Sequence, residues 1–217
     1  MDDKIHHYIE TLVRERSDLF VEMEEFAREH RVPIMEVVGI EALLQMLRLQ
    51  KPKRILEIGT AIGYSALRMA AALPGTEIVT IERDSERYQK ALEYIDRAKY
   101  GDQVTVIYGD ALEVIDEVGE KGPYDAIFID AAKGQYTKFF KHYTAFLTKQ
   151  GTVYTDNVLF KGYVAEELVQ TKRTRNLVKK IQKYNEWLMS HPDYDTAMIP
   201  VGDGLAVSLK KGGKKHE

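Results

Sequence analysis

The sequence has no cysteine in 217 residues, which excludes disulfides, zinc–thiolate centres and cysteine nucleophiles. No apolar run approaches the roughly 20 residues that a membrane-spanning helix needs. The start, Met1-Asp2-Asp3-Lys4, has neither a basic region nor an apolar stretch of the secretory kind, so the expected compartment is the cytoplasm. There is no repeat, low-complexity tract or linker. His6, His7, His30, His142, His191 and His216 show no ligand or triad spacing. Trp187 and most tyrosines read as packing residues.

What remains is an ordinary soluble balance, 44% hydrophobic and 30% charged, sufficient to fill one core. The expectation is a single domain over 1–217, with helices in 1–50 packed on a core of 51–217. The net charge of −3 conceals an asymmetry: residues 1–120 hold 15 basic against 24 acidic residues, and 121–217 hold 16 against 10. A basic half on a mildly acidic chain marks either a polyanion-binding face or a set of solvated helix faces.

Apolar residues recur at helical spacing over 5–29, with a break near Ser17-Asp18, and again from Val37 to Leu47 before Pro52. The period then changes. Arg54–Ile58, Glu77–Ile81, Val104–Tyr108, Asp125–Ile129 and Gly151–Thr155 are short apolar runs separated by helical segments, one of them opened by Asp84 as a plausible N-cap. Strands apolar on both faces and alternating with helices specify a parallel sheet covered on both sides, with every strand tip delivered to one edge. A long helix is expected over 164–190. Two strand-like runs, Tyr194–Pro200 and Leu205–Leu209, flank Gly202-Asp203-Gly204, a hairpin signal. The expected fold is therefore α/β and Rossmann-like: a seven-stranded, mostly parallel sheet closed by a C-terminal antiparallel hairpin.

The chemistry gathers at the strand tips. Glu57-Ile58-Gly59-Thr60-Ala61-Ile62-Gly63-Tyr64-Ser65 joins the first strand to its helix, and its glycines let a ligand approach the backbone and the helix N-terminus. It is not the dinucleotide fingerprint, because Ala61 stands where a second glycine is required. Glu57 suits a cationic amino group better than a pyrophosphate. Glu82, at the second tip, can accept hydrogen bonds from two ribose hydroxyls. Asp110-Ala111, at the third, faces an adenine or caps a turn. Asp130 ends the fourth strand and Asp156-Asn157 the fifth. If those strands are neighbours, two carboxylates and an amide oxygen converge into a hard oxygen site suited to magnesium. Lys133 reaches the same place and, beside a dication, has the lowered proton affinity of a base; otherwise it is a surface lysine. Lys172, Arg173, Arg175, Lys179, Lys180 and Lys183, with Lys210, Lys211, Lys214 and Lys215, form a basic set dense enough to contact phosphates, or merely to solvate a helix.

Together these residues resemble the metal-dependent O-methyltransferases of the catechol and caffeoyl-CoA type. The resemblance runs over nearly the whole chain and includes Leu56-Glu57-Ile58-Gly59, Ile129-Asp130 with Lys133, Asp156-Asn157-Val158, and Pro200-Val201-Gly202-Asp203-Gly204-Leu205. It implies a class I methyltransferase with S-adenosylmethionine and Mg2+ as cofactors. It assigns the metal to Asp130, Asp156 and Asn157, catalysis to Lys133 and Asp130, and the cofactor to Glu57, Gly59, Tyr64, Ser65, Glu82, Asp110, Ala111 and Asp130, with a backbone contact near Val38. Within the family the chain is similar to the bacterial branch that methylates 5-hydroxyuridine at the tRNA wobble position. That branch implies a tRNA anticodon stem-loop as partner, held by the basic C-terminal half, and a homodimer. The alternatives are a catechol-like small acceptor, a cofactor-sensing RNA-binding protein without turnover, and a nucleotide-dependent oxidoreductase. The intact set of Asp130, Lys133, Asp156 and Asn157 argues against the second, and the missing glycine and closing hairpin against the third.

Overall fold

Alternate residues of each central strand face opposite layers, and this period of two builds two cores. Ile55, Ile78, Val104 and Phe128 face one layer, and Leu56, Ile58, Val79, Ile127 and Val153 face the other. The computed structural model describes residues 3–166 and 171–212. Lys214, Lys215 and His216 of the basic tail lie outside the described residues. Seven strands form one sheet: β1 (Arg54–Ile58), β2 (Glu77–Glu82), β3 (Val104–Tyr108), β4 (Tyr124–Ile129), β5 (Leu147–Thr155), β6 (Tyr194–Ile199) and β7 (Leu205–Lys210). Their order is β3-β2-β1-β4-β5-β7-β6. The first five are parallel, and β7 runs antiparallel between β5 and β6. The expected fold class is the observed one.

Strand order departs from β1 in both directions, so a crevice opens where the tips of β1 and β4 lie side by side. One core cluster joins α3 (Val37–Gln50) and α4 (Tyr64–Ala72) to the sheet through Leu43, Leu44, Leu67 and Met69. On the other side, α7 (Tyr136–Tyr143) contributes Phe139 and Phe140, and α8 (Lys172–Met189) contributes Tyr184 and Leu188. Asp84 caps α5 (Ser85–Ala98) as expected, its carboxylate accepting from the amides of Glu86 and Arg87. α6 (Ile115–Glu120) precedes β4.

Two expected boundaries move. The first helical stretch is two helices, α1 (Asp3–Thr11) and α2 (Asp18–Glu29), so the break is a full connector rather than a kink. The long helix begins at Lys172, not near 164, and residues 167–170 lie outside the described ones. Phe160–Ala165 forms a tight 3-10 turn in which Phe160, Lys161 and Gly162 take left-handed backbone angles. Thr171 instead caps α8, its hydroxyl accepting from the Thr174 amide. Among the described residues no helix is long and apolar enough to cross a membrane.

Candidate active site

A cavity of about 320 Å3 opens at the tips of β1, β2, β3 and β4. Of the residues expected at a cofactor, Gly59, Tyr64, Ser65, Glu82, Asp110, Ala111 and Asp130 line it. Gly59 is needed because its φ of +107° is unfavourable for a residue with a side chain, and because a Cβ there would run into the Asp130 carbonyl. Glu82 is held rigidly: one oxygen accepts from the Arg83 and Asp84 amides at 2.9 and 2.8 Å, the other from the Ala61 amide at 2.8 Å. Asp110 accepts from the Leu112 amide and pairs with Arg83 at 3.2 Å. It caps its own turn, as one sequence reading expects, and also lines the cavity.

Two expected cofactor residues lie elsewhere. Glu57 is fully buried beneath the glycine turn and does not line the cavity. Its oxygens accept from Ser65 and Thr80 hydroxyls, each at 2.5 Å. Burial raises its pKa to about 7 against those two hydrogen bonds. Val38 is buried within α3, and the segment preceding that helix meets the cavity instead, through Ile34 and Met35.

The Tyr64 hydroxyl turns away from the cavity into a network that no local sequence pattern announces. It donates to Glu24 of α2 at 2.6 Å and accepts from Arg68 at 2.6 Å. Arg68, 5% exposed, also pairs with Glu41 of α3, while Glu24 is paired with Arg16 at 2.8 Å. Both charges of each sign are thus partnered, as burial requires. The network pins the leading helices to the helix that opens at the cofactor turn.

A second cavity of about 290 Å3 adjoins the first across Asp130, Lys133 and Asn157, and it adds Asp156, Phe160 and Asp203. β4 and β5 are neighbours, so Asp130 and Asp156 emerge side by side, their amides donating to Ile58 and Ile129 carbonyls at 3.0 Å. Burial, the largest cause, raises the pKa of both; Asp130 raises that of Asp156 further, and Lys133 opposes the rise at each. Asp156 accepts from the Asn157 side-chain amide at 2.9 Å, and Lys133 Nζ donates to Asn157 Oδ1. Burial likewise holds the Lys133 ammonium below its usual pKa, opposed by Asp130, Asp156 and Asp203. Among the described residues no group of three or more His, Cys, Asp or Glu side chains gathers to hold a metal. The donor set is two carboxylates and one amide oxygen, with neither carboxylate ion-paired among the described residues. All-oxygen donors in excess of negative charge fit a hard divalent cation completed by water and acceptor.

The basic residues divide. Lys172, Arg173, Arg175, Lys179 and Lys180 are exposed on the first turns of α8. Lys180 reaches over Gly134, next to Lys133, its Nζ 3.5 Å from where a Gly134 Cβ would stand. Lys210 and Lys211 lie at the end of β7 away from the site, where Lys210 donates to the Leu147 carbonyl at 3.2 Å and Lys211 pairs with Asp195.

The family model for O-methyltransferases matches residues 10–211. The chain is 32% identical to catechol O-methyltransferase of Niastella koreensis, over 96% of this chain and 97% of that one. It is similar to a solved structure from Staphylococcus aureus named for caffeoyl-CoA O-methyltransferase, with 40% identity, a TM-score of 0.86 and 96% of each chain covered. It is also similar to the S-adenosylhomocysteine-bound methyltransferase PaMTH1 of Podospora anserina, at 28% identity and a TM-score of 0.83, over 96% of this chain and 94% of that one.

Proposed function

The chain belongs to the O-methyltransferase family of the catechol and caffeoyl-CoA type, and we propose that it methylates one of two adjacent oxygens on a flat acceptor with magnesium bound. Methyl transfer from S-adenosylmethionine to oxygen is its activity. The observation that carries the finer reading is the pair of buried carboxylates, Asp130 and Asp156, without a balancing ion pair on the wall shared by the two cavities.

Asp130, Asp156 and Asn157 would hold the metal, which when bound lowers the pKa of a hydroxyl that it contacts. Lys133 Nζ, whose proton affinity burial has lowered, accepts the hydroxyl proton. The acceptor oxygen then bonds to the methyl carbon as the carbon–sulfur bond breaks, the electron pair staying on sulfur. Glu82, Asp110 and the Gly59 turn fix the cofactor, and much of the rate comes from holding both reactants at close range.

Two acceptors fit. The exposed lysines and arginines of α8, which border the site through Lys180, favour 5-hydroxyuridine in a tRNA anticodon loop, whose ring hydroxyl stands beside a carbonyl. The activity for which the Niastella koreensis relative is named favours a catechol-like small molecule. Incubation with labelled S-adenosylmethionine, magnesium and tRNA carrying 5-hydroxyuridine, beside a reaction with catechol, decides. Label in tRNA that EDTA abolishes supports the first. Label in catechol alone supports the second. Label in both kinds of product that survives EDTA removes the metal from the reading. The implied homodimer would cover Ile5 and Tyr8 of α1 and the adjoining Leu12, all exposed, and sedimentation tests it.

A further inference from the structure

The loop that follows Asp156-Asn157 is held in an unfavourable form by a distant segment. Phe160 and Lys161 have φ of +45° and +55°, angles that side chains resist, and Gly162 follows at +79°. Such a run persists only where its surroundings impose it. Here the Gly202-Asp203-Gly204 turn does so. The Val158 amide donates to the Gly204 carbonyl at 3.1 Å and the Leu159 amide to the Asp203 carbonyl at 2.9 Å. The Asp203 carboxylate accepts from the amide of Lys161, the second of the two strained residues. Gly204 lies so close that a Cβ would strike the Leu159 side chain and backbone nitrogen, and on its other flank the turn rests against Gly39 of α3.

The consequence falls on Phe160. It lines the second cavity with Asp130, Asp156 and Asn157, its ring centroid 6.0 Å from Lys133 Nζ. Moving Phe160 or Lys161 to ordinary right-handed angles would redirect the chain leaving Asn157 and take the ring with it. We infer that Asp203 is a positioning residue: by latching the Lys161 amide it fixes the Phe160 ring as a wall of the acceptor cavity and so selects flat acceptors. This rests on reading that cavity as the acceptor site. Asp203 does not line the first cavity, where the cofactor is read to bind.

The test compares the wild type with Asp203→Ala, Asp203→Asn and Phe160→Leu by two readouts. Amide hydrogen exchange over 158–162, without any ligand, reports the latch. KM for catechol or for 5-hydroxyuridine tRNA, whichever the wild type methylates, reports the wall, with the Kd of S-adenosylhomocysteine as reference. Asp203→Ala loses protection at Lys161 and raises the acceptor KM about tenfold, with cofactor Kd within about twofold. Asp203→Asn, whose amide oxygen still accepts the Lys161 N–H, keeps both values. Phe160→Leu raises KM and leaves exchange unchanged. Unaltered protection in Asp203→Ala overturns the latch, and an unchanged KM in Phe160→Leu overturns the wall even if the alanine variant fails to fold. An asparagine variant as impaired as alanine would assign the effect to charge. A wild type that methylates neither acceptor sinks the acceptor reading and the role of Phe160 with it, while exchange still scores the latch.

Discussion

The two halves of the crevice are built on opposite terms. On one half, at the tips of β1 to β3, the carboxylates are answered: Glu82 by three backbone amides, Asp110 by Arg83 and an amide, Glu57 by two hydroxyls. On the acceptor half, at the tips of β4, β5 and β7, like charges face each other and two side-chain-bearing residues in a row take left-handed angles. The first half is a finished binding surface. The second keeps unfavourable energy that a cation and an acceptor would relieve, as sites that perform chemistry commonly do.

That contrast can be broken from either side. The largest effect is expected from Asp156→Ala, which removes one of the carboxylates proposed to hold magnesium: kcat falls about a thousandfold, roughly 4 kcal/mol of transition-state stabilisation, while S-adenosylhomocysteine still binds in calorimetry. Comparable turnover in this variant would make the carboxylate pair structural. Next comes Gly59→Ala, where the two halves meet. Strain at positive φ and collision with the Asp130 carbonyl cost about 3 kcal/mol, seen as a lowered denaturant midpoint and weakened cofactor binding together.

A smaller effect sharpens the comparison by pH. Glu57 has a folded pKa of about 7, raised chiefly by burial, against an ordinary value of 4.5. The folded state therefore holds a proton that the unfolded state releases between these values. The stability this contributes is complete below pH 4.5 and is lost as pH rises through 7. Glu57→Gln should flatten the fall of Tm over that range. An identical slope would place the proton elsewhere. The smallest effect is expected from Lys179→Ala with Lys180→Ala. For tRNA, KM rises several-fold and its salt dependence becomes shallower by about two charges; for catechol nothing changes.

Much of this was legible because parallel sheets write their ligand positions at strand ends. The tips marked by Glu57, Glu82, Asp130 and Asp156 could be read without knowing any contact, and their delivery to one edge follows from handedness, while the meeting of Asp130 with Asp156 needed β4 and β5 to be neighbours. What was hidden depends on pairs far apart in sequence. Nothing near Tyr64 signals that Glu24 will take its hydroxyl, and nothing near Asp203 signals the amide of Lys161. Nothing near Phe160 signals that it and Lys161 take left-handed angles, beside amides of Val158, Leu159 and Lys161 that the 202–204 turn holds. Glu57 was placed at the right tip but not at the right depth, because a strand pattern gives the face of a side chain and not what lies above it.

The position of β7 between β5 and β6 has a consequence for how the protein comes into being. The strand tips that line the first cavity have been synthesised by Asp130, and the acidic pair is complete at Asp156, but the turn that grips the loop after Asn157 arrives only with Gly202 to Gly204. In a chain still emerging from the ribosome, the second cavity is therefore the last part of the crevice to be completed, because its loop waits for the final turn and strand.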